Sequence, residues 1–191
     1  MIVDIRQDGQ SILPEYASVS IAFEVREVMD VVRDNSSRER FRLEPRTVSP
    51  WVKDYDALDG GPLSWPARFD LRHWTFFSAR SQGQLVGGAA VVYRAPDIEM
   101  LDGRGDVALL WDLRVAPDAR GAGVGRALMD AVEAWAGSHE ATWLEVETQN
   151  INAPACRFYA ASGFELRAVN PDVYPDLPNE IQLLWYRQLS R

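Results

Sequence analysis

The sequence has few of the side chains that cross-link proteins or bind metals. Cys156 is its one cysteine, and its two histidines are His73 and His139. A single cysteine excludes an internal disulfide, and a reducing compartment is the simpler expectation. Neither histidine belongs to a recognisable Cys–His motif, and we predict that the protein binds no metal.

The sequence also lacks long apolar runs and an excess of positive charge. No run approaches the roughly 20 residues of a membrane helix, and the N-terminal residues MIVDIRQDGQ lack the pattern of a secretory signal. These features predict a cytoplasmic protein with no membrane partner. The net charge of −8 argues against nucleic acid as a partner, because phosphate binding requires clustered Lys and Arg. The charge suits a cationic substrate, although solubility alone also explains it.

The composition that remains is that of a globular α/β protein. The chain has 191 residues, 47% of them hydrophobic, which suits one domain spanning residues 1–191. Hydrophobic periodicity predicts a mixed β-sheet flanked by helices. The predicted strands are residues 20–28, 40–48, 74–79, 84–94, 107–116, 142–148, 164–169 and 180–187, with helices beginning near residues 124 and 152. Residues 50–73 and 95–106 are predicted as loops, the first with one short turn of helix.

Three glycines at alternate positions, Gly121, Gly123 and Gly125, separate the central apolar strand from the next helix. A glycine-rich turn at a helix N-terminus exposes backbone N–H groups and favours an anion. The loop is not a Walker A motif, because Arg126 rather than Lys follows the last glycine. A dinucleotide fingerprint would need a third glycine where Arg126 stands, although Glu147 lies about 20 residues on, as a ribose ligand should. A tight turn without a ligand is a further alternative.

The segment RGAGVG, Arg120 to Gly125, resembles the R-x-x-G-x-G motif of the GNAT superfamily of acetyl-CoA-dependent N-acetyltransferases. The resemblance implies that this loop wraps the pyrophosphate of coenzyme A, and that the preceding strand binds the pantetheine arm through its backbone. It makes residues 107–169 the acetyl-CoA-binding core, between strands and acceptor-side loops at 20–94 and a C-terminal loop and strand at 170–191. The implied cofactor-binding residues are Leu113, Arg114, Val115, Arg120, Gly121, Ala122, Gly123, Val124, Gly125 and Arg126.

A second GNAT-like motif follows the next predicted strand. In ETQNINAPACRFY, Asn152 and Tyr159 are seven residues apart, which places them about two helical turns apart on nearly one face. The resemblance implies that Asn152 contacts the coenzyme A arm and that Tyr159 reaches the thioester sulfur as a general acid. Asn152 is also a natural helix N-cap, and a core aromatic is the alternative for Tyr159. Cys156 is predicted to pack in the helix, because this superfamily transfers the acetyl group directly.

Longer segments resemble one subfamily, the streptothricin acetyltransferases. These segments are FEVREVMDV and TVSPWVKDY near the start, ETQNINAPACRFYAASGFE in the core, and PNEIQLLWY near the end. The resemblance implies acetylation of an amino group on the β-lysine arm of streptothricin, a cationic small molecule, and hence antibiotic resistance. A homodimer is what the superfamily often shows. The sequence departs from the subfamily at residues 58–69 and 95–106, where substrate specificity can change.

Acetyl transfer to an amine requires an acid near the acceptor. A lysine-like amine, with a pKa of about 10.4, is protonated at neutral pH and cannot attack until it loses a proton. Asp112 is the only acid in its apolar strand, and Glu147 lies on the next strand of the core. We predict that both line the amine pocket, with Asp112 as the favoured base, so that Asp112→Asn reduces turnover far more than acetyl-CoA affinity. The alternative is that Asp112 pairs with an arginine for structural reasons.

Aromatic and acidic residues elsewhere are further candidates for the acceptor site, since aromatic faces suit a cation. They are Tyr55, Trp65, Trp74, Tyr174 and Glu180. Packing is the alternative for each of them. Three other functions stay open: acetylation of another amine such as a polyamine, an amino acid or a protein lysine; a non-catalytic acyl-CoA-binding module; and a dinucleotide-binding oxidoreductase. Asp112 and Tyr159 argue against the non-catalytic module, which needs neither.

Overall fold

The computed structural model describes residues 1–33 and 41–189. These residues divide between two compact units. The first contains Met1–Ala22 and Asp54–Leu144, and the second contains Phe23–Lys53 and Glu145–Gln188. Arg40, the first residue of the predicted strand 40–48, lies outside the described residues. No helix in the described ranges is long and apolar enough to cross a membrane.

Four antiparallel strands lie side by side in the first unit, in the order β1-β4-β5-β6. Their bounds are Asp4–Asp8 for β1, Trp74–Ser81 for β4, Gln84–Tyr93 for β5 and Val107–Val115 for β6. The C-terminal part of β5 and the N-terminal part of β6 are buried at every residue. Burial of both faces explains why the sequence of these strands is almost continuously apolar.

The strands predicted at residues 74–79 and 84–94 and the helix predicted to begin near residue 124 are confirmed. The turn between β4 and β5 places Gln82 at a φ of 50° and Gly83 at a φ of 82°, which is typical of a tight hairpin turn. Helix α4 (Val124–Ser138) packs on β4, β5 and β6. Its buried residues recur at helical spacing, so that one apolar face covers the sheet.

The region predicted as one long loop, residues 50–73, differs from that prediction. Strand β3 (Phe41–Lys53) extends into this region, and four short helical segments follow it. They are α2 (Asp56–Asp59), a 3₁₀ turn at Gly61–Ser64, α3 (Trp65–Arg68) and a 3₁₀ turn at Leu71–His73. Segments of this length are too short to show a periodic pattern, and packing rather than propensity stabilises them. Strand β1 and the short helix α1 (Leu13–Tyr16) were missed for the same reason.

The second unit begins with a long hairpin. Strand β2 (Phe23–Arg33) pairs antiparallel with β3 (Phe41–Lys53) in a two-stranded sheet. Pro45 lies opposite Met29 in this pairing. Among the described residues, strand β3 has a neighbouring strand on one side only. The missing N–H of Pro45 therefore costs no hydrogen bond to a second neighbouring strand.

The remaining strands of the second unit lie in the order β7-β9-β8. Their bounds are Trp143–Gln149 for β7, Glu165–Asn170 for β8 and Gln182–Gln188 for β9. Helix α5 (Ala153–Ala161) follows β7. Asn152 caps its start, and Gly163 follows its end with a φ of 81° in the left-handed region. The helix start predicted near residue 152 is confirmed.

Candidate functional site

The glycine loop leaves backbone N–H groups open at the start of α4. Gly121 has a φ of 72° and Gly123 a φ of 89°, in the region that side chains with a Cβ rarely adopt. Open space lies where a Cβ on either glycine would stand. Within the described residues, no backbone carbonyl accepts from the N–H of Gly123, Val124, Gly125 or Arg126. The start of α4 therefore offers an anion both unpaired donors and a partial positive charge.

The two arginines of the loop have different environments. Arg120 Nε donates to the Val115 carbonyl at 3.0 Å, and Arg120 Nη2 donates to the Ala22 carbonyl at 2.8 Å. Partial burial lowers the pKa of Arg120. Arg126 is exposed, and its ion pair with Asp130 is a surface pair at 2.9 Å, which a stronger anion displaces at little cost. Arg120 therefore fixes the loop to the surrounding backbone, whereas Arg126 is able to meet a ligand.

Strand β6 places a buried arginine two residues from the predicted base. The Arg114 side chain is 1% exposed, and its five N–H groups all have acceptors. Nε and Nη2 bind Asp112 at 2.9 and 2.8 Å, and Nη1 and Nη2 bind Asp56 at 2.9 and 3.2 Å. Nη1 also donates to the Val19 carbonyl at 3.0 Å. Burial by itself would lower the pKa of Arg114, but its hydrogen bonds to the two aspartates and the charge of Asp112 outweigh burial and raise the pKa.

Asp112 itself is 8% exposed and belongs to the same network. Its Oδ1 accepts from the Tyr16 hydroxyl at 2.6 Å as well as from Arg114. Burial, followed by the charge of Asp112, raises the pKa of Tyr16 well above its ordinary value. Gly88 makes room for the Tyr16 ring, because a Cβ at this position would stand 2.7 Å from Cδ2. The geometry favours the structural ion pair as the role of Asp112.

The segment predicted to bind pantetheine, residues 113–115, pairs with β5. Leu113 lies opposite Ala89, and Val115 lies opposite Gly87. Because the Arg114 side chain is committed to the buried network, Arg114 can offer a ligand only its backbone. The resemblance to the GNAT superfamily likewise implies that this segment binds the pantetheine arm through its backbone.

In the second unit, Glu147 on β7 is a half-buried carboxylate held by neutral donors. Its Oε1 accepts from the Tyr174 hydroxyl and from Gln149 Nε2, the latter at 3.2 Å. Its Oε2 accepts from Gln182 Nε2 at 2.7 Å. Gln182 in turn accepts from Asn170 Nδ2 at 2.7 Å. The ion pairs among the described residues do not include Glu147, so its charge is available to a cation.

Two other predicted acceptor-site residues, Tyr174 and Glu180, belong to the same group of side chains. Burial, followed by the charge of Glu147, raises the pKa of Tyr174, so its hydroxyl remains a donor at neutral pH. The charge of Glu180 also acts on Tyr174. Glu180 is buried and forms an ion pair with Lys53, which offsets its charge. The structure therefore brings Glu147, Tyr174 and Glu180 together.

Helix α5 holds the residues of the second motif. Asn152 Oδ1 accepts from the Ala155 N–H at 3.1 Å, which confirms its role as an N-cap. Cys156 is buried, and this burial raises the pKa of its thiol to about 11, so it is packing rather than a nucleophile. Tyr159 is also buried and packs edge-to-face on Phe164, with ring centroids 5.5 Å apart. Its predicted part in proton transfer stays a prediction.

The remaining aromatic candidates lie in the first unit. Trp65 and Trp74 are buried with ring centroids 5.4 Å apart, and Trp74 also contacts Phe69 at 5.5 Å and Trp111 at 5.1 Å. These contacts favour packing as the role of both tryptophans. Tyr55 is partly buried and immediately precedes α2.

Three amides of the second unit were missed as functional residues. Gln149 and Gln182 donate to Glu147, and Asn170 Nδ2 donates to Gln182 Oε1 at 2.7 Å. Amides are common at surfaces and give little signal in a sequence. The available signal was spacing, since Gln149 stands two residues after Glu147 and alternation places both on one face of β7.

Comparison with known proteins identifies the family. Residues 40–164 match the model of the Acetyltransferase (GNAT) family. A streptothricin acetyltransferase of Escherichia coli is 31% identical over 186 residues, which cover 92% of this chain and 93% of that protein. A streptothricin acetyltransferase of Streptomyces lavendulae is 30% identical over 165 residues, covering 85% and 78% respectively. The chain therefore belongs to the GNAT family of acetyltransferases.

Solved structures show the same fold. A nourseothricin acetyltransferase matches with a TM-score of 0.77 at 24% identity, covering 100% of both chains. A protein from Bacillus anthracis str. Ames, solved in complex with acetyl coenzyme A, matches with a TM-score of 0.80 at 21% identity, covering 98% of this chain and 99% of that chain. The predicted mixed α/β GNAT fold is confirmed. The prediction of an acyltransferase that uses acetyl-CoA is also confirmed.

Proposed function

We propose that this protein transfers the acetyl group of acetyl-CoA directly to a primary amine of a cationic small molecule, and that the acceptor is the β-lysine arm of streptothricin. The observation that carries the proposal is Glu147, a half-buried carboxylate held by neutral donors and open to a cation. The two streptothricin acetyltransferases that align with most of the chain support this choice of acceptor.

On the donor side, the start of α4 would hold the pyrophosphate of acetyl-CoA. The N–H groups of residues 123–126 supply hydrogen bonds, and exposed Arg126 adds a positive charge. Arg120 positions the loop through its bonds to backbone carbonyls. The backbone of residues 113–115 and the cap residue Asn152 are the proposed contacts of the pantetheine arm.

On the acceptor side, Glu147 binds the substrate ammonium and, directly or through water, accepts a proton from it. The neutral amine then forms a C–N bond with the acetyl carbonyl carbon and the C–S bond breaks. The leaving thiolate takes a proton from Tyr159, the new amide nitrogen gives its surplus proton through water to the Tyr159 phenolate, and Glu147 releases its proton to solvent. The sequence favoured Asp112 as the base. Tyr16 donates to Asp112 Oδ1, and Arg114 donates to both carboxylate oxygens of Asp112. We therefore assign the base role to Glu147 instead.

The direct test is thiol release from acetyl-CoA by the purified protein, with and without streptothricin. Fast release that depends on streptothricin is the expected result. No release with streptothricin, by protein shown to bind acetyl-CoA, would reject streptothricin as the acceptor. A panel of other amines would then identify the substrate.

Glu147→Gln tests the carboxylate within the same assay. We expect kcat/KM for streptothricin to fall by about 10² to 10⁴, because a neutral amide neither attracts the ammonium nor accepts its proton. The dissociation constant of acetyl-CoA should stay unchanged. Glu165→Gln, at an exposed position on β8, is the matched control and should behave as wild type. An unchanged kcat/KM in Glu147→Gln would remove Glu147 from the acceptor site.

A further inference from the structure

The two oxygens of Glu147 are not equivalent. Oε1 accepts from two donors, the Tyr174 hydroxyl and Gln149 Nε2, whereas Oε2 accepts from Gln182 Nε2 alone. An ionised carboxylate has about four lone-pair sites, two on each oxygen. The described donors therefore fill both sites of Oε1 and leave one site on Oε2.

The donors are themselves held in place. Gln149 Nε2 also donates to the Tyr174 hydroxyl oxygen at 3.0 Å, which links the two groups that fill Oε1. Gln182 is buried, and its Oε1 accepts from Asn170 Nδ2 at 2.7 Å. This bond fixes the amide so that its N–H₂ side faces Glu147. Residues on the strands and on the loop before β9 therefore maintain the difference between the two oxygens.

Ammonium and guanidinium ions make different demands on such a carboxylate. A guanidinium binds best as a fork, with one N–H on each oxygen. An ammonium is a compact charge that needs only one acceptor site. Glu147 can accept a single N–H on Oε2, but a fork would have to break the bond of Oε1 to Tyr174 or to Gln149.

The neighbouring carboxylate, that of Glu180, does not offer a guanidinium an alternative binding site. Glu180 is buried and already forms an ion pair with the Lys53 ammonium. In this group of described side chains, the available negative charge is therefore that of Glu147, presented through one oxygen.

We propose that Tyr174 and Gln149 are positioning residues that fill Oε1 of Glu147, leave its open lone pair on Oε2 beside the Gln182 amide, and so make the acceptor site select a primary ammonium over a guanidinium. The inference rests on the proposed function, because it takes Glu147 as the carboxylate that binds the acceptor.

The test is a titration of the full-length protein with n-butylammonium chloride and, separately, n-butylguanidinium chloride at equal ionic strength, followed by NMR. Wild-type protein should bind the ammonium more tightly. Tyr174→Phe frees one site on Oε1, and both oxygens can then receive a fork. The affinity for guanidinium relative to ammonium should rise about tenfold or more, as expected for one added charge-assisted hydrogen bond. Gln149→Met frees the same oxygen and serves if Tyr174→Phe does not fold.

Gln182→Met is the discriminating variant. It also removes one donor from Glu147, but from Oε2, so Oε1 stays filled and the fork stays blocked. The preference for ammonium should therefore persist. Tyr93→Phe, which removes a hydroxyl bound to the Gly105 carbonyl, controls for the loss of a tyrosine hydroxyl as such and should leave the preference unchanged.

Three results would overturn the inference: equal binding of the two cations by wild-type protein, an unchanged preference in the folded Oε1 variants, or binding of neither cation. The titration requires no acetyl transfer. Ammonium selectivity without streptothricin turnover would therefore reject the antibiotic and keep the selective site. Streptothricin turnover without ammonium selectivity would keep the antibiotic as the acceptor and reject the selective site.

Discussion

The Tyr16 hydroxyl donates a hydrogen bond to Asp112 Oδ1 across 2.6 Å, although the two residues are 96 positions apart in the chain. The same carboxylate binds Arg114 through both oxygens. An acid in an apolar strand thus has partners that satisfy it without a substrate. Its substitution is expected to act first on stability.

Asp112→Asn removes one of the two carboxylates that neutralise buried Arg114. We expect the free energy of unfolding to fall by about 3 kcal/mol or more, because a buried ion then lacks part of its compensation. Urea denaturation measures this loss. A variant that keeps its stability but loses turnover would instead return Asp112 to the catalytic mechanism.

Gly88→Ala tests the packing that holds Tyr16 against Asp112. The added Cβ would stand 2.7 Å from Tyr16 Cδ2, so the ring has to move. A loss of about 1–3 kcal/mol in the free energy of unfolding is expected from such overpacking. Gly105→Ala is the control, since open space surrounds that position. Equal stabilities for the two alanine variants would contradict the close approach.

Cys156 should make stability depend on pH in the alkaline range. Burial raises the pKa of its thiol from 9.0 to about 11 in the folded protein. Its contribution is fully present below pH 9 and is lost as the pH rises towards 11, because the unfolded state releases a proton that the folded state keeps. The expected loss is roughly 2–3 kcal/mol. Urea denaturation from pH 8 to 11 should show a shallower decline for Cys156→Ser, and parallel declines would refute the assignment.

Arg126→Ala and Arg120→Ala should separate ligand binding from structure. Arg126→Ala should raise the KM for acetyl-CoA about tenfold, with the free energy of unfolding unchanged, because its charge is expected to meet the pyrophosphate. Arg120→Ala should lower the free energy of unfolding by about 1–2 kcal/mol, since it removes bonds to three backbone carbonyls. Steady-state kinetics and denaturation distinguish them. An unaltered KM in Arg126→Ala would contradict the placement of this arginine.

Elements with local signals were predictable from the sequence. The Asn152 cap, the Gly163 stop and the turn at Gln82–Gly83 depend on φ preferences and on bonds spanning a few residues. Residues 50–73 were not predictable in this way. Their short helical segments depend on contacts such as the stacking of Trp65 against the core aromatics, which no periodicity reveals.

The residues of the candidate site also differ in whether local sequence reveals them. The glycine loop was recognisable because its open N–H groups follow from adjacent glycines and a helix start. Tyr174 and Glu180 were named from their chemistry alone. Gln182 and Asn170 were not named, because their importance lies in a bond chain to Glu147 that forms only when β7, β8 and β9 have assembled.

Local sequence was sufficient to establish the helix ends, the hairpin turn and the anion-binding loop, since each arises from neighbouring residues. Long-range packing determined the roles of the charged side chains. Asp112 and Glu147 are both acids on core strands, yet Asp112 meets Arg114 and Tyr16 whereas Glu147 meets neutral donors. The free energy of a carboxylate depends on the groups within hydrogen-bond reach, and the fold brings those groups from distant parts of the chain.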